Sequence, residues 1–423
     1  MRIEFSEITL ENNIRVVLSE FSTTNAVAAN FIFGVGSRFE EENISGSSHL
    51  FEHMLFKGTK NKPTPKKISS IIENQGGIIN AFTDKEITGY WANFPKENTS
   101  ESIELFSDII QNSLMRKKDL ILEKNVVIEE IKSSLDNPYA VCVTNYEKVN
   151  WGNHSMGRDV AGTENSVNSL SIKTLKEFYK KFYTPDNLVI SISGNINKDN
   201  VIDQLKNNFK TFTHKKNLSV NPIIESKGFK QISIKKEMEQ SIIIIGFKCP
   251  SYLSEKKYAL SLISVILGES MSSRLFEEIR EKRGLAYDIH SSINLYSDTG
   301  VIYFEAGVDE RNLLEVIKLT FNELNNIKNL KIDEEELNSA KNLSVGRLLL
   351  RLENSRSISS FLGTQKILSN KITAVDEIVS KINKVTLNEI KLLAEEIFIK
   401  DNLCISKVGP KNSKIEDFSN IEL

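Results

Sequence analysis

The chain has 423 residues, too many for one ordinary core, so two or three domains are expected. Its composition, 40% hydrophobic and 26% charged, is that of a soluble globular protein, and 54 Lys and Arg against 56 Asp and Glu leave no net field favouring nucleic acid or an acidic membrane. The start, Met1-Arg2-Ile3-Glu4-Phe5-Ser6-Glu7, lacks the basic and then apolar pattern of an export signal, and no apolar run reaches the roughly 18 residues of a membrane span, so a cytoplasmic protein is expected.

Strand-like runs open the chain at Ile14-Arg15-Val16-Val17-Leu18 and Val27-Ala28-Ala29-Asn30-Phe31-Ile32-Phe33. Helical spacing then recurs at about 45–57, 66–75, 100–113, 118–135 and 171–183, with strand-like segments at about 79–96 and 188–194. Asp136-Asn137-Pro138 stops the long helix, because the residue before a proline is pushed out of the α region. Gly34-Val35-Gly36 follows a strand, yet Phe39 stands where a dinucleotide fingerprint needs its third glycine, and Gly58-Thr59-Lys60 lacks the spacing of a phosphate loop. Both read as turns.

The first long helical segment contains His49-Leu50-Phe51-Glu52-His53, which holds two of the five histidines. Residues four apart lie one above the other on a helix, so both imidazoles can reach one metal ion, with Glu52 beside them to work on water. This is the layout of a zinc peptidase motif in its inverted order, H-x-x-E-H. A catalytic zinc needs a third protein ligand. The 118–135 segment offers Glu123, Glu129 and Glu130; Glu123 and Glu130 are seven apart and share a face, while Glu129 points about a quarter-turn away. On spacing alone these acids read first as a solvated helix face.

Cys142, Cys249 and Cys404 form no C-x-x-C pair and are odd in number, which argues for three reduced, mostly buried thiols. From 213 to 230 the sequence turns polar and irregular and reads as a linker between a domain at 1–212 and another at 231–423. Beyond it the order of elements repeats in outline: a strand over Ser241-Ile242-Ile243-Ile244-Ile245-Gly246-Phe247, helices near 256–268 and 273–282, strands at about 286–295 and 300–307, then helices to about 398. A charged amphipathic helix ends at Gly284, and His290 is solitary.

Three segments together resemble the inverted-zincin metallopeptidases of the pitrilysin, insulin-degrading enzyme and mitochondrial processing peptidase family, in its short processing-peptidase-like branch. They are Ser48-His49-Leu50-Phe51-Glu52-His53-Met54-Leu55-Phe56-Lys57-Gly58-Thr59, the stretch from Glu123 to Ile131, and Gly268 to Tyr287. Lys124 and Ser155 depart from the family pattern, where arginine and proline are common, and neither is a proposed ligand. The resemblance implies an α+β fold of two homologous α/β domains that forms a chamber as a homodimer. It implies one zinc per chain held by His49, His53 and Glu130, with Glu52 as general base and Glu123 in the outer shell. It also implies that Asn80, Ala81 and Phe82 lie on an edge strand that takes up extended peptide, and that Arg280 and Tyr287 contact substrate. His154 is expected in a hydrogen-bonded structural role. The implied activity is zinc-dependent hydrolysis of short unfolded peptides, with a noncatalytic core or assembly subunit of the same fold as the alternative and peptide maturation as a second enzymatic one.

Overall fold

The computed structural model describes residues 3–213, 222–223, 228–413 and 417–420. Most of the expected linker at 213–230 lies outside the described residues. In chain order the elements are β1 (Ser6–Thr9), β2 (Arg15–Glu20), β3 (Ala26–Phe33), α1 (Ser47–Leu55), α2 (Pro65–Glu73), β4 (Ile78–Thr83), β5 (Thr88–Pro95), α3 (Thr99–Asn112), α4 (Lys117–Asp136), α5 (Pro138–Trp151), α6 (Glu164–Ser169), α7 (Ile172–Phe182), β6 (Leu188–Gly194) and α8 (Lys198–Asn208). They continue with β7 (Lys230–Lys236), β8 (Gln240–Cys249), α9 (Lys257–Gly268), a π-helix (Phe276–Glu281), β9 (Ala286–Leu295), β10 (Gly300–Asp309), α10 (Leu313–Lys328), α11 (Glu334–Arg351), α12 (Ser355–Ser369), α13 (Val375–Lys384), α14 (Leu387–Ile397) and β11 (Leu403–Pro410). Pro138 ends α4 as the sequence suggests. It also starts α5 as its first helical residue, with Asn137 Oδ1 capping the amides of Tyr139 and Ala140.

Two compact units result, each assembled from separated stretches of chain. The first comprises Met1–Lys132, Arg158–Asn221 and Leu350–Val375; the second comprises Ser133–Gly157, Pro222–Leu349 and Asp376–Leu423.

The first unit is built on a mixed six-stranded sheet of order β1-β2-β6-β3-β5-β4, in which β2 and β6 run parallel and the other pairs are antiparallel. Alternation along β3 sends Val27, Ala29, Phe31 and Phe33 into one apolar core with residues of α1, α3, α7 and α8. Phe31 stacks on Phe106 with ring centroids 4.6 Å apart. The opposite face is covered by α12, where Asn30 Nδ2 donates to Ser359 Oγ (2.7 Å) and Ser359 Oγ donates to the Ser191 carbonyl (2.7 Å). Cover on both faces explains why β3 reads as an apolar run interrupted at Asn30 alone, whose amide is met by Ser359. Strand β4 is the sheet edge, beside the helix that carries His49 and His53.

The second unit repeats the plan with a five-stranded sheet, β7-β11-β8-β10-β9. Ile243, Ile245 and Phe247 of β8 enter a core with α9, α10 and α14, while Ile242 and Ile244 face α5 through Cys142 and Tyr146. The expected helix at 273–282 is wound as a π-helix over Phe276–Glu281, with the Lys282 N–H bonded to the Glu277 carbonyl and the Gly284 N–H to that of Arg280 (both 2.9 Å). Cys142 and Cys404 are buried free thiols and Cys249 is half-buried.

Candidate metal centre

Helix α1 is short, buried along Leu50, Phe51, Met54 and Leu55, and turns His49, Glu52 and His53 toward α4 and the end of β4. The two imidazole rings meet edge-to-face with centroids 4.7 Å apart. Glu130 Oε2 lies 3.7 Å from His49 Nε2 and 3.8 Å from His53 Nε2. Among the described residues, these three form the one group of His, Cys, Asp or Glu whose donor atoms all fall within 4.8 Å of one another.

Glu123, two turns earlier on α4, takes a different position. Its Oε2 meets His53 Nδ1 at 3.1 Å, and its Oε1 pairs with Lys57 Nζ at 2.6 Å. A carboxylate on Nδ1 fixes the proton there and leaves the lone pair of Nε2 facing Glu130. Glu129 points elsewhere: it is largely exposed and pairs with Lys132 at 2.8 Å. The site therefore brings together His49, His53 and Glu130, places Glu123 behind His53, and leaves Glu129 in solvent.

Glu52 sits on the same helix face, with Thr83 Oγ1 donating to its Oε2 at 2.8 Å from the last residue of β4. Burial raises its carboxyl above the ordinary range, opposed by the Thr83 bond and the His53 charge. A carboxyl shifted upward in this way is better matched to proton transfer near neutral pH than one at its ordinary value. Burial, then the neighbouring His53 charge, depresses His49 to about 4, so it is a neutral imidazole with a free lone pair. At His53 burial works downward too, but the Glu123 bond and the charges of Glu52 and Glu130 outweigh it and raise the pKa.

The donor set fits zinc. Tetrahedral bonds of about 2.0–2.1 Å hold ligand atoms roughly 3.4 Å apart, close to the spacings found before any ion draws them in. Two imidazoles and one carboxylate are also the chemistry of a catalytic zinc with an open position.

Asn80, Ala81 and Phe82 lie on the edge strand β4, where Ala81 packs toward the core and Asn80 is exposed. Phe82 is opposite Gly89 in register, and a Cβ at Gly89 would stand 2.4 Å from the Phe82 ring, so glycine lets the aromatic side chain lie flat across β5. In the second unit Arg280 lies over the ring of Tyr287, its Cζ 5.1 Å from the centroid, and Tyr287 is 79% exposed. Arg280 also lies over the Phe276 ring at 4.6 Å, so its guanidinium is held between the two aromatic side chains. Sequence reading gave no role to Lys57 or Thr83; the four-residue spacing from His53 is a signal that could have found Lys57.

The family follows from comparison with known proteins. A model described as Insulinase (Peptidase family M16) matches residues 15–164, and one described as Peptidase M16 inactive domain matches 169–344. A Bacillus subtilis protein described as the uncharacterized zinc protease YmxG is 35% identical over 395 residues, covering 93% of this chain and 95% of its own. The chain belongs to the M16 peptidase family. A Rickettsia bellii member described as an uncharacterized zinc protease is 33% identical over 319 residues, covering 74% of this chain and 76% of its own. Among solved structures, a protease from Helicobacter pylori matches with a TM-score of 0.90 at 23% identity, covering 97% of this chain and all of its own. A chain of Complex III2 from Candida albicans matches at 0.82 with 21% identity, covering 96% and 95%. These two share the fold of this chain, which holds two M16 domains of mixed α/β architecture. None of the described helices is long and apolar enough to cross a membrane.

Proposed function

We propose that this M16 member is a zinc-dependent endopeptidase that hydrolyses short, unfolded peptides, with one zinc per chain held by His49, His53 and Glu130. The supporting observation is the convergence of two Nε2 atoms and one carboxylate oxygen, within 4.8 Å of one another, beside a Glu52 fixed by Thr83. A zinc ion there would supply Lewis acidity, lowering the pKa of water and polarising the scissile carbonyl. Glu52 takes the proton of the attacking water and returns one to the leaving amine. Thr83 aims the carboxylate. Glu123 holds His53 in the tautomer that presents Nε2.

The edge of β4 at Asn80, Ala81 and Phe82 aligns an extended substrate by backbone hydrogen bonds, which reads little sequence. Arg280 and Tyr287 donate to substrate carbonyls or the developing oxyanion, a contribution of a few kcal/mol each by the usual magnitude. A homodimer enclosing a chamber, in the cytoplasm, completes the proposal, since one short chain carries both the zinc motif and the Arg/Tyr pair. The second reading is a noncatalytic core or assembly subunit of the same fold; the intact donor set favours the enzyme.

Zinc analysis with cleavage of an unstructured peptide library by wild type and Glu52→Gln tests this. Wild type should hold about one zinc per chain and cleave, while Glu52→Gln holds zinc with turnover down roughly 10²–10⁴-fold. A zinc-free wild type, or Glu52→Gln cleaving at the wild-type rate, refutes it.

A further inference from the structure

We infer that Glu40, which lies outside the H-x-x-E-H motif, is a positioning residue that caps α1 and so sets the geometry of the His49/His53 pair; the inference rests on the zinc reading above. An α-helix begins with N–H groups that lack intrahelical partners, normally satisfied by the side chain of the N-cap residue. In α1 that residue is Gly46, at φ 89°, with no side chain to offer and no acidic residue in the following turn. Nor could a side chain be added. A Cβ at Gly46 would stand 2.6 Å from the Ala161 carbonyl oxygen, in addition to the cost of the left-handed backbone. Ser47 does not help, because its hydroxyl donates backward to the Ile44 carbonyl at 2.6 Å.

Glu40 fills the role from outside the helix. Its Oε2 accepts from the Gly46 N–H at 2.7 Å and its Oε1 from the Ser48 N–H at 2.6 Å, and the residue is only 4% exposed. Both bonds sit at the positive end of the helix dipole and are charge-assisted in the ionised carboxylate. Ser48 directly precedes His49, so the carboxylate grips the backbone turn from which the first imidazole projects. Burial pushes the Glu40 carboxyl up to about 7, opposed first by these amides and then by Arg158, so the capping contacts work against a real desolvation cost.

Glu40 is itself anchored to the other support of the site. The Arg158 guanidinium donates to its carbonyl, and the Arg158 carbonyl accepts from Lys85 Nζ at 2.7 Å. Arg38 pairs with Glu86 at 2.6 Å, both buried, and the Arg38 N–H donates to the Lys85 carbonyl at 2.9 Å. Lys85 and Glu86 belong to the turn after Thr83, the residue that holds Glu52. One buried polar segment, 37–40, thus ties the start of α1 to the end of β4, fixing the metal-facing histidines and the base relative to each other. Tolerances at such sites are about half an ångström.

The test measures zinc affinity by competition with a chromophoric chelator, and the visible spectrum of the cobalt-substituted protein, in the full chain. Glu40→Gln places an amide donor where two N–H groups need acceptors; it should fold, bind zinc 10–100-fold more weakly and show an altered cobalt spectrum. Glu40→Asp keeps the charge but falls one methylene short, and should lie between the two. It decides the matter if Glu40→Gln does not fold. Ser359→Ala, which breaks the buried Asn30–Ser359–Ser191 chain on the far side of the sheet, controls for destabilisation alone and should leave both readouts unchanged. Zinc affinity and cobalt spectrum at wild-type values in the folded Glu40 variants, or equal losses in Ser359→Ala, overturn the positioning role while leaving the zinc reading intact. A wild type that binds no zinc overturns both.

Discussion

Replacing each of three glutamates on α4 by glutamine gives an ordered series that the site geometry fixes in advance. Four-ligand zinc sites bind with about 10–16 kcal/mol, or roughly 2.5–4 kcal/mol per ligand. Glu130 supplies the oxygen 3.7 and 3.8 Å from the two Nε2 atoms, so Glu130→Gln should lose about that much, roughly 10²–10³-fold in affinity. Glu123→Gln keeps an acceptor near His53 Nδ1 but removes the charge, and should cost about 10–100-fold. Glu129→Gln breaks only a solvent-exposed pair with Lys132, and zinc affinity should stay within about twofold of wild type. Apo protein titrated against a chromophoric chelator at fixed pH reads all three. Equal losses for Glu130→Gln and Glu129→Gln would refute the ligand assignment, and a Glu123 loss exceeding that of Glu130 would mean the two carboxylates exchange roles on metal binding.

Other consequences follow from single contacts. Thr83→Val removes the donor to Glu52 Oε2; a hydrogen bond to a charged carboxylate, about 1.5–3 kcal/mol, predicts a roughly 10–100-fold fall in kcat with zinc content unchanged, and an unaltered kcat would show that Thr83 does not orient the base. Chelation should abolish cleavage and lower the melting temperature, because an ion binding only the native state at 100 times its Kd adds about 2.7 kcal/mol; readdition of zinc should restore both. Burial pushes the Cys142 and Cys404 thiols up to about 12, so neither should react with a disulfide reagent at pH 8 in the native protein, whereas both should react in denaturant. Rapid native labelling of either would contradict their buried placement.

Much of the architecture is legible because it follows local rules. Strand β3 alternates between two covered faces, α1 and α4 have helical spacing, and Pro138 ends a helix where the sequence says it should. What covers the second face of each sheet is not legible. Helix α12 packs on β3 and β6 from more than 300 residues beyond β3, through Ser359 and Gly363, and nothing in its own pattern names that partner. The π-helical winding at Phe276–Glu281 is hidden for a similar reason: the apolar spacing of Phe276 and Ile279 suits an α-helix equally well.

The candidate site shows the same division at finer scale. Spacing places Glu123 and Glu130 on one face of α4 but cannot rank them, because both face α1. Lys57 separates them. Its ammonium, 2.6 Å from Glu123, satisfies one oxygen of that buried carboxylate while His53 Nδ1 takes the other, which leaves Glu130 as the acid whose oxygen faces both Nε2 atoms. A buried carboxylate without such partners would be costly, so the compensating cation decides which glutamate can sit behind the histidine and which faces the two Nε2 atoms. Glu40 follows the same rule from the opposite direction. Gly46 leaves a helix start with unsatisfied N–H groups, and a carboxylate six residues upstream is the anion that makes that start tolerable. In both places the informative residue is the partner that a motif residue requires once buried, and that requirement appears only when the backbone brings the two together.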